Sequence, residues 1–116
     1  MLPASVKILV CTEPQDMRRS FDKLALCVRE ILGEDPQGGA LFVFVGKRPT
    51  RLKVLWWDKN GYCLLYKRLH RSHFRIVRKQ GDASPCLQID STAFAELLCG
   101  EENEKNVCSK LTPSVH

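Results

Sequence analysis

ALFVFVGKRPTRLKVLWWDKNGYCLLYKRL (residues 40–69) reads as three consecutive β-strands. Its first part, ALFVFV (40–45), is a nearly continuous apolar run of strand length, the pattern of a central strand buried on both faces. GKRPT is a basic turn. Residues 51–57 and 62–69 then form two β-rich runs around DKNG, which predicts a hairpin. Either Asn60-Gly61 makes a two-residue turn, or Asp58 to Gly61 makes a type I turn with a bulge. The two choices differ by one residue in register and so change the cross-strand partners. Side chains alternate across a strand, so Trp56 and Trp57 face opposite ways. One is expected in the core and the other on an exposed face beside the cations.

Upstream, VKILVC (6–11) reads as a first strand and TEPQ as a turn. Asp16 is placed to cap a helix. Met17, Phe21, Leu24, Val28 and Ile31 follow at helical steps, with Ala25 and Leu32 widening the apolar face. Gly33 and Pro36 end that helix. Downstream, HFRIV (73–77) is expected as an edge strand and CLQI (86–89) as a short strand. Asp90 caps a second helix, Ile89 and Phe94 can staple its start, Leu97 and Leu98 extend its apolar side, and Gly100 ends it. The order strand-helix-strand-strand-strand-(strand)-helix gives an α+β fold: a mainly antiparallel sheet of four to five strands with two helices, expected on one face of it. Residues 1–100 are expected to form a single domain, and 101–116, polar and aperiodic, a mobile tail.

No apolar run approaches the roughly 18 to 20 residues of a membrane span, so no membrane partner is expected. The N-terminus has no secretory pattern, and the default location is cytoplasmic. Cysteines stand at 11, 27, 63, 86, 99 and 108, with no C-x-x-C pair. Without a secretory signal they are expected to be reduced, mostly as small apolar side chains, although their even number leaves a disulfide framework formally open.

The formal charge of +5 hides a strong asymmetry. Residues 1–46 carry five Lys/Arg and six Asp/Glu, 47–79 carry eleven and one, and 80–116 carry two and six. A central third of net +10 points to a polyanion partner. The alternatives are an acidic protein, the chain's own acidic tail, or a hairpin with one wet face, but eleven cations against one acid are unusual for a neutral wet face. The candidate phosphate contacts are Arg18, Arg19, Lys47, Arg48, Arg51, Lys53, Lys67, Arg68, Arg71, Arg75, Arg78 and Lys79, with Trp57 (or Trp56) as a stacking group. Asp16, Asp22 and Asp58 are the acids nearest the basic third or in the first helix. Asp16 is explained as a cap and Asp58 as a turn residue, so no catalytic carboxylate cluster is expected. No nucleophile elbow or Gly-rich phosphate loop is present. His70 and His73 match no zinc spacing and read as surface histidines. Neither a metal, a cofactor nor a small-molecule substrate is implied.

DMRRSFDKLALCV (16–28), LFVFVGKRPTRLKVLWWDKNGYCLLYKRL (41–69) and HF (73–74) resemble the TnpB, or Orf-two-like, accessory proteins of the insertion-sequence-sixty-six family of bacterial transposable elements. The resemblance covers roughly residues 4–99. The matching positions are Asp16, Met17, Arg18, Phe21, Asp22, Phe44, Gly46, Lys53, Trp57, Asp58, Gly61, Lys67, Arg68 and Leu69. The resemblance implies a non-enzymatic accessory protein required for transposition, in elements whose cutting and joining chemistry belongs to a separate transposase. Taken with the basic central third, this makes DNA near the element ends and the transposase the expected partners. The basic hairpin makes DNA the first expectation. The alternative is a protein–protein module that docks on the transposase without touching DNA.

Overall fold

The apolar run Leu41–Gly46 is the central strand of a five-stranded sheet, and all six of its residues are buried. A computed structural model describes residues 6–77 and 81–102 of the chain. Strand β1 (Ile8–Gln15) leads to helix α1 (Phe21–Cys27), which runs on into a π-helical turn (Val28–Leu32). Strands β2 (Leu41–Gly46), β3 (Arg51–Asp58) and β4 (Gly61–Arg68) follow. A short strand β5 (Ser72–His73), β6 (Cys86–Ile89), helix α2 (Ser91–Cys99) and β7 (Glu101–Glu102) complete the order. The main sheet is ordered β4-β3-β2-β1-β6, and β5 pairs with β7 in a separate ribbon. β1 and β2 are parallel, while the other pairings are antiparallel, so the fold is α+β with a mainly antiparallel sheet.

Both faces of β2 are apolar, and each needs a cover. α1 covers one face: Leu24, Ala25, Cys27, Val28 and Leu32 pack with Leu9, Cys11, Phe42, Phe44 and Leu55. α2 and Phe74 cover the other: Phe94 and Leu97 pack with Ile8, Val10, Leu41, Val43, Leu52 and Val54. The helices therefore lie on opposite faces, not on one as expected. A β2 read as buried on both sides already required this, because one layer of helices leaves the far face wet. Each large apolar side chain buried in these layers contributes roughly 1.5–3 kcal/mol.

Several local expectations are corrected. TEPQ is not a turn. β1 continues through Gln15, with two extra residues between the Cys11–Phe44 and Gln15–Gly46 pairs. That bulge is held from the other side, where Thr12 N donates to the Pro85 carbonyl at 2.9 Å. α1 begins at Phe21, and its N-cap Ser20 makes no side-chain cap bond. Asp16 is not a helix cap; it closes a turn by accepting from Arg18 N at 2.9 Å. Met17 is thus buried from a turn, and Phe21 is 41% exposed. The π-helical turn also advances the phase, which buries Leu32 more fully than Ile31.

The hairpin pairs Asp58 with Gly61 without a bulge, so Lys59 and Asn60 form the tip. This is neither predicted alternative in full, because Lys59 takes a φ of 54° that a type I turn excludes. Of the expected edge strand 73–77 only His73 is strand, as the second residue of β5, and Glu101–Glu102 pairs with β5 instead of belonging to a tail. The rest of the expected tail lies outside the described residues. Asp90 caps α2 as expected, accepting from Ala93 N at 2.8 Å. Cys11, Cys27, Cys63, Cys86 and Cys99 are free thiols. No helix among the described residues is long and apolar enough to cross a membrane.

Candidate nucleic-acid interface

The topology decides which basic residues meet. β1 and β2 run parallel, β3 returns, and β4 runs back alongside it. One end of the sheet therefore collects the ends of β1, β2 and β4 and the start of β3. Arg18 and Arg19 follow β1, Lys47 and Arg48 form the β2–β3 turn, Arg51 opens β3, and Lys67 and Arg68 close β4.

At this end Asp16, Arg18, Gly46, Lys47, Arg48 and Arg51 line an open cleft of about 320 Å³. Lys47 and Arg48 are exposed, and Arg51 is half-buried. The Asp16 carboxylate sits at its margin. Arg18 Nη2 donates to Asp16 Oδ2 at 2.7 Å, and Arg18 Nε reaches Oδ1 at 3.0 Å. Those bonds hold the Asp16 carboxyl well below the usual carboxylate range and raise the Arg18 guanidinium above its own. The cleft thus presents four cations against one carboxylate.

Arg51 and Arg68 are directly opposed across the hairpin. Their neighbours Leu52 and Lys67 point to the α2 side, so by alternation both arginines point to the α1 side. Like charges in that relation repel and reduce hairpin stability. Arg71, also exposed, follows in the next bend. A repulsive pair at the mouth of a basic cleft has its natural complement in an anion.

The structure separates other candidates from this group. Lys53 is only 6% exposed, and its ammonium donates to the Arg19 carbonyl at 2.6 Å. It also lies 4.8 Å from the centre of the Tyr66 ring, and burial lowers its pKa. Lys67 turns to the α2 side and donates to the Leu98 carbonyl at 2.7 Å, a cation at a helix C-terminus. Arg75 pairs with Glu101 at 3.4 Å. Arg19 Nη1 is directed to Gln15 Oε1 at 3.0 Å and Cys27 Sγ at 3.2 Å. Arg78 and Lys79 lie outside the described residues.

Trp57 stands at the other end of β3, six residues or about 20 Å from Arg51. It packs edge-on against Tyr62 with ring centres 4.9 Å apart. Trp56 packs against the α2-side core. Both tryptophans are half-buried, so neither is the fully exposed aromatic expected beside the cations. Asp58 ends β3 beside that far hairpin tip, at the opposite end of the strand from the cleft. Among the described residues, no group of three or more His, Cys, Asp or Glu side chains could hold a metal ion.

Two residues that are not among the candidate phosphate contacts matter here. Gln15, buried, anchors Arg19, and Gly46 lets the β2–β3 turn approach Met17. Their signal in the sequence was weak: a polar residue ending an apolar strand, and a glycine before a basic turn.

Comparison with known proteins accounts for nearly the whole chain. Residues 6–107 match the model of a family described as "IS66 Orf2 like protein". The uncharacterized protein y4hO of Sinorhizobium fredii (strain NBRC 101917 / NGR234) is 40% identical over 102 residues, 86% of each chain. The uncharacterized protein y4jC of the same strain is 39% identical over 69 residues, 60% of this chain and 59% of its own. No solved structure matches. The chain belongs to the IS66 Orf2-like family and, with it, to the accessory proteins associated with transposition.

Proposed function

We propose that this protein is a non-catalytic factor required for transposition, which grips DNA near the element ends and works there with the transposase. The observation that carries this reading is the gathering of Arg18, Lys47, Arg48, Arg51 and Arg68 at one end of the sheet. Strands distant in sequence bring their cations together, and the opposed Arg51 and Arg68 lose stability unless an anion sits between or above them. Guanidinium and ammonium groups on an open cleft suit phosphate oxygens, and phosphate contacts position a protein on a duplex without reading its sequence.

Binding of the purified chain to labelled element-end and random DNA tests the reading. Four to five phosphate contacts predict a loss of roughly 100- to 1,000-fold in affinity between about 50 and 200 mM salt. The ratio of end to random affinity reports sequence reading. Absence of binding at low salt, with transposase capture surviving nuclease and high salt, would transfer the role to protein docking. Magnesium-dependent cleavage by the pure protein, lost in Asp16→Asn, Asp22→Asn or Asp58→Asn, would overturn the non-catalytic assignment.

A further inference from the structure

β4 is the outermost strand of the sheet, and among the described residues no strand pairs with its far side. Its ladder to β3 runs through eight successive pairs with no bulge. Tyr62, Cys63, Leu64, Leu65 and Tyr66 are five consecutive apolar residues, and none is buried. Leu65 and Tyr66 are 40% and 50% exposed. Edge strands are normally guarded by shortness, proline, a bulge or a charge in mid-strand. β4 has none of these over residues 61–66, and its cations Lys67 and Arg68 stand together at one end.

The ladder also fixes which backbone groups point outward. Leu69 N donates to the Thr50 carbonyl at 2.8 Å. Bonded and non-bonded pairs alternate in an antiparallel ladder. Counting back along the pairs, Cys63, Leu65 and Lys67 bond inward to β3, and Tyr62, Leu64 and Tyr66 turn their N–H and C=O groups outward.

We infer that this edge pairs with β4 of a second copy of the chain, antiparallel and centred on Leu64. The charge distribution selects the direction. Antiparallel pairing sets Lys67 and Arg68 against Gly61 and Asn60 of the second copy, whereas parallel pairing would stack four cations. The centring is selected by the apolar run. About Leu64, Tyr62 meets Tyr66 and Cys63 meets Leu65, so all five apolar residues find apolar partners. The outward-turned residues of each copy then face one another and can exchange backbone hydrogen bonds. A two-fold axis perpendicular to the sheet keeps each α1 side beside the other, so both apolar faces continue across the junction. This pairing does not depend on the DNA reading.

Sedimentation of the full chain without DNA, from about 1 to about 100 µM, tests the pairing across the affinity range of a modest interface. A reversible dimer is expected. Leu65→Lys puts a charge in mid-strand on an already exposed side chain and should weaken the dimer at least tenfold. Leu65→Cys should cross-link to the native Cys63 of the second copy under mild oxidation, while Val77→Cys, at 72% exposure, should not. A monomer throughout the range overturns the proposal, as does a dimer that Leu65→Lys leaves intact. Should Leu65→Lys fail to fold, the cross-link decides: equal cross-linking at residues 65 and 77, or none at 65, overturns it.

Discussion

The ammonium of Lys53 lies 2.6 Å from the carbonyl oxygen of Arg19, which fastens β3 to the connection between β1 and α1. Lys53→Met leaves that carbonyl without its partner, at a cost of about 1–3 kcal/mol. Urea unfolding should register the loss. The slope of affinity against salt should stay unchanged, because this ammonium is turned inward. Burial lowers the pKa of Lys53 from 10.5. The folded chain therefore releases the proton first. Stability from this group rises with pH between the lowered value and 10.5, and the gap between wild type and Lys53→Met should widen there.

Arg51 and Arg68 make a prediction of opposite signs. Each faces the other across the hairpin, so Arg51→Ser or Arg68→Ser should raise stability by about 0.2–1 kcal/mol. The same changes should weaken DNA binding and reduce the salt slope by about 0.9 each. If both substitutions stabilise and neither alters the slope, the pair is not part of a phosphate grip.

These two cases show what the sequence could and could not disclose. β2, the hairpin and the Asp90 cap were legible because their signals are local: an unbroken apolar run, a turn tetrapeptide, a capping side chain. Lys53 was not. Alternation puts it on the same side as Leu55, but only the turn before α1, folded over that end of the strand, converts a wet position into a buried one. The Lys67 contact is hidden for the same reason, since its partner is the end of a helix 31 residues away. The basic third was visible as composition. Its division into a cleft group, a buried lysine and two structural contacts depends on strand order, which periodicity does not encode.

Gly46 tests whether the cleft needs its close backbone approach. A Cβ at this position would lie 2.7 Å from Met17 Cγ and 3.0 Å from the Arg48 carbonyl. The methionine can yield, but the carbonyl belongs to the turn itself. Gly46→Ala should cost about 1–3 kcal/mol by overpacking. It should also lower DNA affinity while removing no charge, because Lys47 and Arg48 move with the turn. Gly61→Ala, whose Cβ meets nothing within 4 Å, is the control and should change either property little.

Asp16 sets the charge of the cleft by holding Arg18. Its carboxyl is kept well below the ordinary value of 3.8, first by the hydrogen bonds from Arg18. A depressed carboxylate contributes stability above its unfolded pKa and loses it as pH falls through the folded one. Asp16→Asn keeps an acceptor for Arg18 N but removes the ion pair. The stability difference between wild type and Asp16→Asn should therefore be constant above about pH 5 and shrink below it. Binding should move the other way. The substitution removes the one carboxylate lining the cleft and releases a guanidinium into it, so DNA affinity should rise several-fold at low salt, with a steeper salt slope. Titration of labelled DNA with both proteins at neutral pH measures this. Weaker binding by Asp16→Asn would mean that Arg18 must be held in place by Asp16 to serve the cleft, and that its orientation outweighs its charge.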